Sequence, residues 1–226
     1  MEAPVGALVL RTDSARALRA LASVRDALTD AEHARAARLR SDGDRDDYVA
    51  SHLLVRECAA RWSGVPARRL TLRHRCPGCG SPEHGRPYVE ELPDVCVSLS
   101  HARGYVAAAA GTGPVAVDAE SPRPQGLSAA GRQRVMAAAE LSEIAGDARP
   151  DLAFALRWTY KECLVKLGSA DWAGLPGVAV PRALRPDGVP VRAEGRWAVQ
   201  WEDGPGSGCG TAVTTGFPAL LGFEGQ

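Results

Sequence analysis

Near the midpoint of this 226-residue chain, Gly111-Thr112-Gly113-Pro114 forms a four-residue turn cluster between two apolar runs, Tyr105 to Ala110 and Val115 to Val117. Glycine and proline together interrupt regular structure, so this is the clearest internal boundary. The flanking runs are short and apolar, which reads as strands. The boundary divides the chain into residues 1–112 and 113–226. Each half shows helical periodicities with a few strands and no internal repeat. The expected class is therefore α+β, in a chain long enough to bury a substantial core as one domain or two small ones.

Directly after the boundary, Asp118 and Glu120 follow Val115-Ala116-Val117 at i and i+2. On a strand both carboxylates point to the same side. Two such acids repel unless a cation lies between them, and Mg²⁺ prefers hard oxygen ligands of this kind. The alternative is a strand running into a polar turn with its acids in water.

A second concentration of chemistry is Phe154 to Gly168. The chain has 27 Lys+Arg, yet only Lys161 and Lys166 are lysines, both in this stretch. Arg's planar fork and Lys's compact charge are not interchangeable, so lysines in an arginine-dominated chain suggest a need for a point charge. Trp158, Glu162 and Lys166 are spaced four and four and share a helix face, with Lys161 to one side. An ordinary solvated helix carrying a Glu-to-Lys pair would look the same.

Taken in order, these residues resemble a known family. Asp118-Ala119-Glu120, then about forty residues, then Trp158, Lys161-Glu162, Lys166 and Gly168, is similar to the paired signature of the 4′-phosphopantetheinyl transferases of the surfactin-synthetase-activating type. Ser98-Leu99-Ser100-His101 and Gly85-Arg86-Pro87 resemble two further motifs of that family. Two departures stand out: Ala119 replaces a larger aliphatic residue, and Cys163 a Ser or Ala.

The resemblance implies two similar pseudo-twofold-related lobes, each a small mainly antiparallel sheet packed with helices. Residues 1–112 would form an N-terminal lobe on the coenzyme A phosphate side. Residues 113–226 would form the lobe with the metal-binding and catalytic motifs. It implies transfer of the phosphopantetheine arm of coenzyme A to a serine of an apo acyl or peptidyl carrier protein, with Mg²⁺ held by Asp118, Glu120 and Glu162. Glu162 and Lys166 would be catalytic. Arg56, Arg86, Pro87, Ser100, His101, Asp118, Trp158, Lys161 and Lys166 would bind coenzyme A, with Arg35 and Arg38 as further basic candidates near its 3′-phosphate. A non-catalytic binding lobe of the same fold is the competing reading.

Composition sets outer bounds. Net charge is zero and the pI about 7.0, so no global field favours nucleic acid or membrane. The apolar run Val5 to Leu10 is too short for a signal core and lacks a basic flank, so a cytoplasmic location is expected. One lobe per half points to a monomer. Six cysteines without an export signal read as reduced thiols, with Cys58, Cys96 and Cys163 as small core residues. Cys76-Pro77-Gly78-Cys79, with His84 five residues on, resembles the start of a zinc knuckle. No fourth ligand stands at a familiar spacing, so a simple reduced turn is the favoured reading.

The remaining periodicities predict a strand at 5–10, helices at 14–27, 29–39, 45–62, 128–144 and 150–167, and strands at 69–73, 95–99, 105–110, 178–180, 196–201 and 211–214. A polar loop is expected at 121–126. The hairpin between 95–99 and 105–110 is expected to carry His101 in its turn.

Overall fold

The computed structural model describes residues 6–122, 128–204 and 207–223; Val5 and most of the expected polar loop lie outside that range. The first half contains β1 (Ala7–Asp13), α1 (Ser14–Ala20), α2 (Asp30–Ala37), α3 (Asp42–Ser63), β2 (Leu72–Arg75), β3 (Arg86–Val89), β4 (Cys96–Ala102) and β5 (Tyr105–Gly111). After the boundary turn come β6 (Val115–Glu120), α4 (Ala129–Val135), α5 (Ala138–Ala145), α6 (Pro150–Lys166), β7 (Val191–Ala193), β8 (Arg196–Glu202), β9 (Cys209–Thr214) and β10 (Ala219–Phe223). The strands form two sheets, in the orders β10-β1-β5-β4-β3-β2 and β6-β9-β8-β7. Every pairing is antiparallel except β1 with β10, so the class is α+β with mainly antiparallel sheets.

Strand alternation sets the layering. On β5, Val106, Ala108 and Ala110 pack with Leu54 and Cys58 of α3. Its other face, Tyr105, Ala107 and Ala109, packs against Val117, Val199 and Ala212 of the second sheet. β5 is buried throughout, and its run of alanines lets helix and second sheet approach it from both sides. On β6, Ala116 faces Tyr160, Cys163 and Leu164 of α6 while Val115, Val117 and Ala119 face inward. The layers are therefore α3, the six-stranded sheet, the four-stranded sheet and α6. By the same alternation Asp118 and Glu120 share the face of Ala116 and look toward α6.

Local rules set the helix ends. Thr29 and Glu32 make a reciprocal capping box at α2, with Thr29 N donating to Glu32 Oε2 at 2.8 Å. Ser41 caps α3, and Gly64 ends it at φ 79°.

Several expected elements differ. The helix expected at 14–27 stops at Ala20 and continues as a 3₁₀ segment over Ala22–Ala27. The one expected at 128–144 breaks where Met136 adopts an extended conformation. Residues 178–180 are not a strand; Val178 and Val180 pack against the core beside α6. β7 is only three residues long, and β10 finds its partner in β1 near the opposite end of the chain. The pairing of β10 with β1 has no local signal, whereas β7 is joined to β8 by the two-residue turn Glu194-Gly195, both at positive φ. The hairpin turn is Arg103-Gly104, both at positive φ (44° and 84°), so His101 lies within β4, paired with Val106. Cys96 is exposed rather than a core residue.

Candidate active site

β4, β6, the C-terminal half of α6 and the start of β3 enclose a cleft of about 1280 Å³. Ser100, His101, Asp118, Glu120, Trp158, Glu162, Lys166, Arg86 and Pro87 all line it. Residues from four separate stretches thus meet because β4 and β6 lie side by side while α6 crosses the outer face of β6.

Asp118 is the centre of this arrangement. Its carboxylate is buried and accepts from Lys166 Nζ at 2.7 Å and from Ser100 Oγ at 2.8 Å. Lys166 also donates to Val117 O at 2.8 Å. Ser98 Oγ accepts from Val117 N, tying β4 to β6 just below the acids. Burial alone would pull the Lys166 ammonium down; Asp118 beside it outweighs this and holds it above the ordinary lysine value.

The other two acids are raised, although Glu120 accepts from Ser121 N at 2.7 Å. Burial raises the Glu120 carboxyl, and neighbouring Asp118 adds to that. Glu162 goes further, to about 7, through burial and the negative charge of Asp118, with Lys166 opposing only in part. Three acids on adjoining faces of β6 and α6, two of them held above their usual range, form a site short of positive charge. Their hard oxygen donors suit Mg²⁺, which keeps several waters and needs few protein ligands, so the residues fit such an ion. They are not drawn tightly together. Among the described residues, the one group of three potential ligands with donor atoms within 4.8 Å of one another is Cys76, Cys79 and His84.

The cleft's rim is aromatic and basic. Trp158 and Trp172 stand with ring centroids 6.0 Å apart. Arg35 lines the cleft and is exposed, whereas Arg38 does not line it. Gly168 ends the helix region at φ 70°, and a Cβ there would lie 2.6 Å from Arg86 Nη2. Gly168→Ala is therefore expected to cost roughly 1–2 kcal/mol through left-handed strain and displacement of Arg86. Thermal unfolding should read this as a drop of a few degrees.

Two expected ligand residues belong elsewhere. Arg56 is fully buried under α2; its guanidinium donates to both oxygens of Glu32 at 2.8 and 2.7 Å, to Leu70 O and to His52 O. Lys161 is equally buried, with Nζ donating to Glu140 Oε2 at 2.6 Å and to Val135 O and Leu175 O. Lys161 lies three residues along α6 from Trp158 but one from Glu162, and that one-residue step turns its side chain toward α4, α5 and the 3₁₀ turn at Leu175–Gly177. Both cations donate to buried acceptors and neither lines the cleft. Conversely, Tyr48, His74 and Trp172 line it although the motifs assign none of them to coenzyme A. Of these, only Trp172 had a signal in sequence, as an aromatic in a polar stretch just beyond the helix end.

The chain is similar to known proteins over part of its length. Residues 114–199 match the family model described as the 4′-phosphopantetheinyl transferase superfamily. That range runs from the boundary turn through β6 and α6 into β8. Across 164 residues the chain is 24% identical to a protein of Bacillus subtilis named 4′-phosphopantetheinyl transferase, covering 71% of this chain and 65% of that relative, just under two thirds of its length. The matched segment carries Asp118, Glu120, Glu162 and Lys166, all lining one cleft, and over that segment the chain is similar to the 4′-phosphopantetheinyl transferase superfamily.

Proposed function

We propose that this protein transfers the 4′-phosphopantetheine group of coenzyme A to a serine hydroxyl of an apo carrier protein, acyl or peptidyl, releasing adenosine 3′,5′-bisphosphate. The observation that carries this reading is the convergence of Asp118, Glu120, Glu162 and Lys166 with Ser100, His101 and Arg86 around one cleft. It is larger than the usual small-molecule pocket, which suits a nucleotide with a long arm.

In this reading Asp118, Glu120 and Glu162 hold Mg²⁺, which when bound supplies charge neutralisation at the pyrophosphate. Phosphoryl transfer otherwise depends on positioning and electrostatics. Glu162, whose carboxylate lines the cleft beside the proposed ion, takes the proton from the attacking serine oxygen. A new serine O–P bond forms as the bond between that phosphorus and the bridging oxygen breaks, and the electron pair stays on the departing bisphosphate. Lys166 is held by Asp118 within reach of the leaving oxygen and balances its charge. Arg86 and His101 on the cleft wall grip phosphate oxygens, with Arg35 as a further contact at the rim. Trp158 and Trp172 offer an apolar wall for the arm.

The test is intact-mass spectrometry of an apo carrier protein incubated with this protein, coenzyme A and Mg²⁺. A gain of one phosphopantetheine, abolished by EDTA and restored by excess Mg²⁺, is expected. Absence of any gain across carriers of fatty acid, polyketide and nonribosomal peptide synthesis, with coenzyme A still bound, would replace this reading by that of a binding lobe.

A further inference from the structure

The turn between β2 and β3 is not used by the chemistry above, yet it brings three soft-metal ligands together. Cys76 Sγ, Cys79 Sγ and a ring nitrogen of His84 lie within 4.8 Å of one another, and Cys79 Sγ is 3.5 Å from His84 Nε2. Two ligands of a tetrahedral zinc ion, with Zn–S about 2.3 Å and Zn–N about 2.1 Å, stand about 3.6 Å apart. We propose that Cys76, Cys79 and His84 bind a Zn²⁺-class ion that braces this turn, with the fourth position open to water.

The backbone is already shaped for it. Gly80 sits at φ 72° and its N–H donates to Cys76 O at 2.9 Å, while Cys76 N donates to Ser81 O at 3.0 Å. These bonds fold Cys76-Pro77-Gly78-Cys79 into a tight loop with both sulfurs on one side. The amides of Cys79 and Gly78 also face Cys76 Sγ. The returning chain passes so close that a Cβ on Gly85 would lie 2.4 Å from Arg75 O and from Cys76 Cα. His84 is thereby placed opposite the two cysteines. Two thiolates with an imidazole favour zinc over magnesium or calcium. All three ligands are at least partly accessible, so an ion can enter without unfolding.

The ion would act at a distance from the carboxylates. Pro77 and Gly85 both border the cleft, and Arg86 follows His84 by two residues. Tying the end of β2 to the start of β3 would hold Arg86 at the cleft mouth.

The test loads reduced, chelator-stripped protein with Co²⁺ alone as a spectroscopic stand-in, then displaces it with Zn²⁺. Thiolate-to-Co²⁺ absorption in the near ultraviolet, saturating at about one equivalent and bleached by Zn²⁺, is expected. The Cys79→Ser/His84→Ala variant, whose changes lie in an exposed turn, should keep the wild-type circular dichroism and lose the band. No thiolate band in the wild type, or a band unchanged in the folded variant, would overturn the proposal. Mg²⁺ at the carboxylates gives no such band, so the outcome is independent of the transferase reading.

Discussion

Glu162→Gln is expected to abolish phosphopantetheine transfer, by roughly a thousandfold or more, while the protein remains folded. Removing a proton acceptor typically costs a hundred- to ten-thousandfold, and here the change also weakens the proposed Mg²⁺ site. Its effect on stability should have the opposite sign. The folded-state carboxyl of Glu162 stands at about 7, against 4.5 when unperturbed. Between those values the unfolded chain releases a proton that the folded chain retains, so metal-free wild-type stability falls as pH rises from about 4.5 to about 7. The glutamine variant lacks this slope and should be more stable at pH 8 by about 1–3 kcal/mol, allowing for its part exposure and for Lys166. Mg²⁺ should raise the melting temperature of the wild type at pH 8 and leave the variant nearly unchanged. Near-normal transfer by a folded Glu162→Gln protein would end the assignment of Glu162 as base.

Arg56→Ala is expected to destabilise the protein by roughly 3–5 kcal/mol, because it strands the buried carboxylate of Glu32. In a chain of this size that lowers the melting temperature by roughly 10 °C. Burial would raise the Glu32 carboxyl, but bonds from His52 and Arg56 outweigh it and hold the acid far below its usual range. Its contribution is therefore present above pH about 4.5 and is lost on acidification below that value. The variant should lose this acid sensitivity, since Glu32 would be protonated more readily without its partner. Calorimetric unfolding across pH 3–8 separates the two proteins. Any residual folded variant should bind coenzyme A with an affinity close to the wild type's, whereas Arg86→Ala should weaken that affinity with little change in melting temperature.

Arg56 and Lys161 show where local reasoning stops. Both stand in stretches whose other residues do line the cleft, and a basic side chain near a phosphate motif reads as a ligand from sequence. Their direction was decided by neighbours far along the chain: Glu32 and Leu70 for Arg56, Glu140 and Leu175 for Lys161. His101 differs in cause: it sits in β4 rather than its turn because the adjacent Arg103 and Gly104 take the positive-φ positions.

What the residues by themselves determined is the local geometry of the signature: β6 over Val115–Glu120, the helix from Pro150, the shared face of Asp118 and Glu120, and the four-and-four spacing of Trp158, Glu162 and Lys166. Periods of 2 and 3.6 residues require only adjacent backbone, so they are readable from a short segment. The tertiary structure alone decided that β4 lies against β6, that Ser100 and Lys166 converge on Asp118, and that two cations turn inward. Each depends on contacts between distant segments, and on which buried acceptors remain to be satisfied once the sheets have packed.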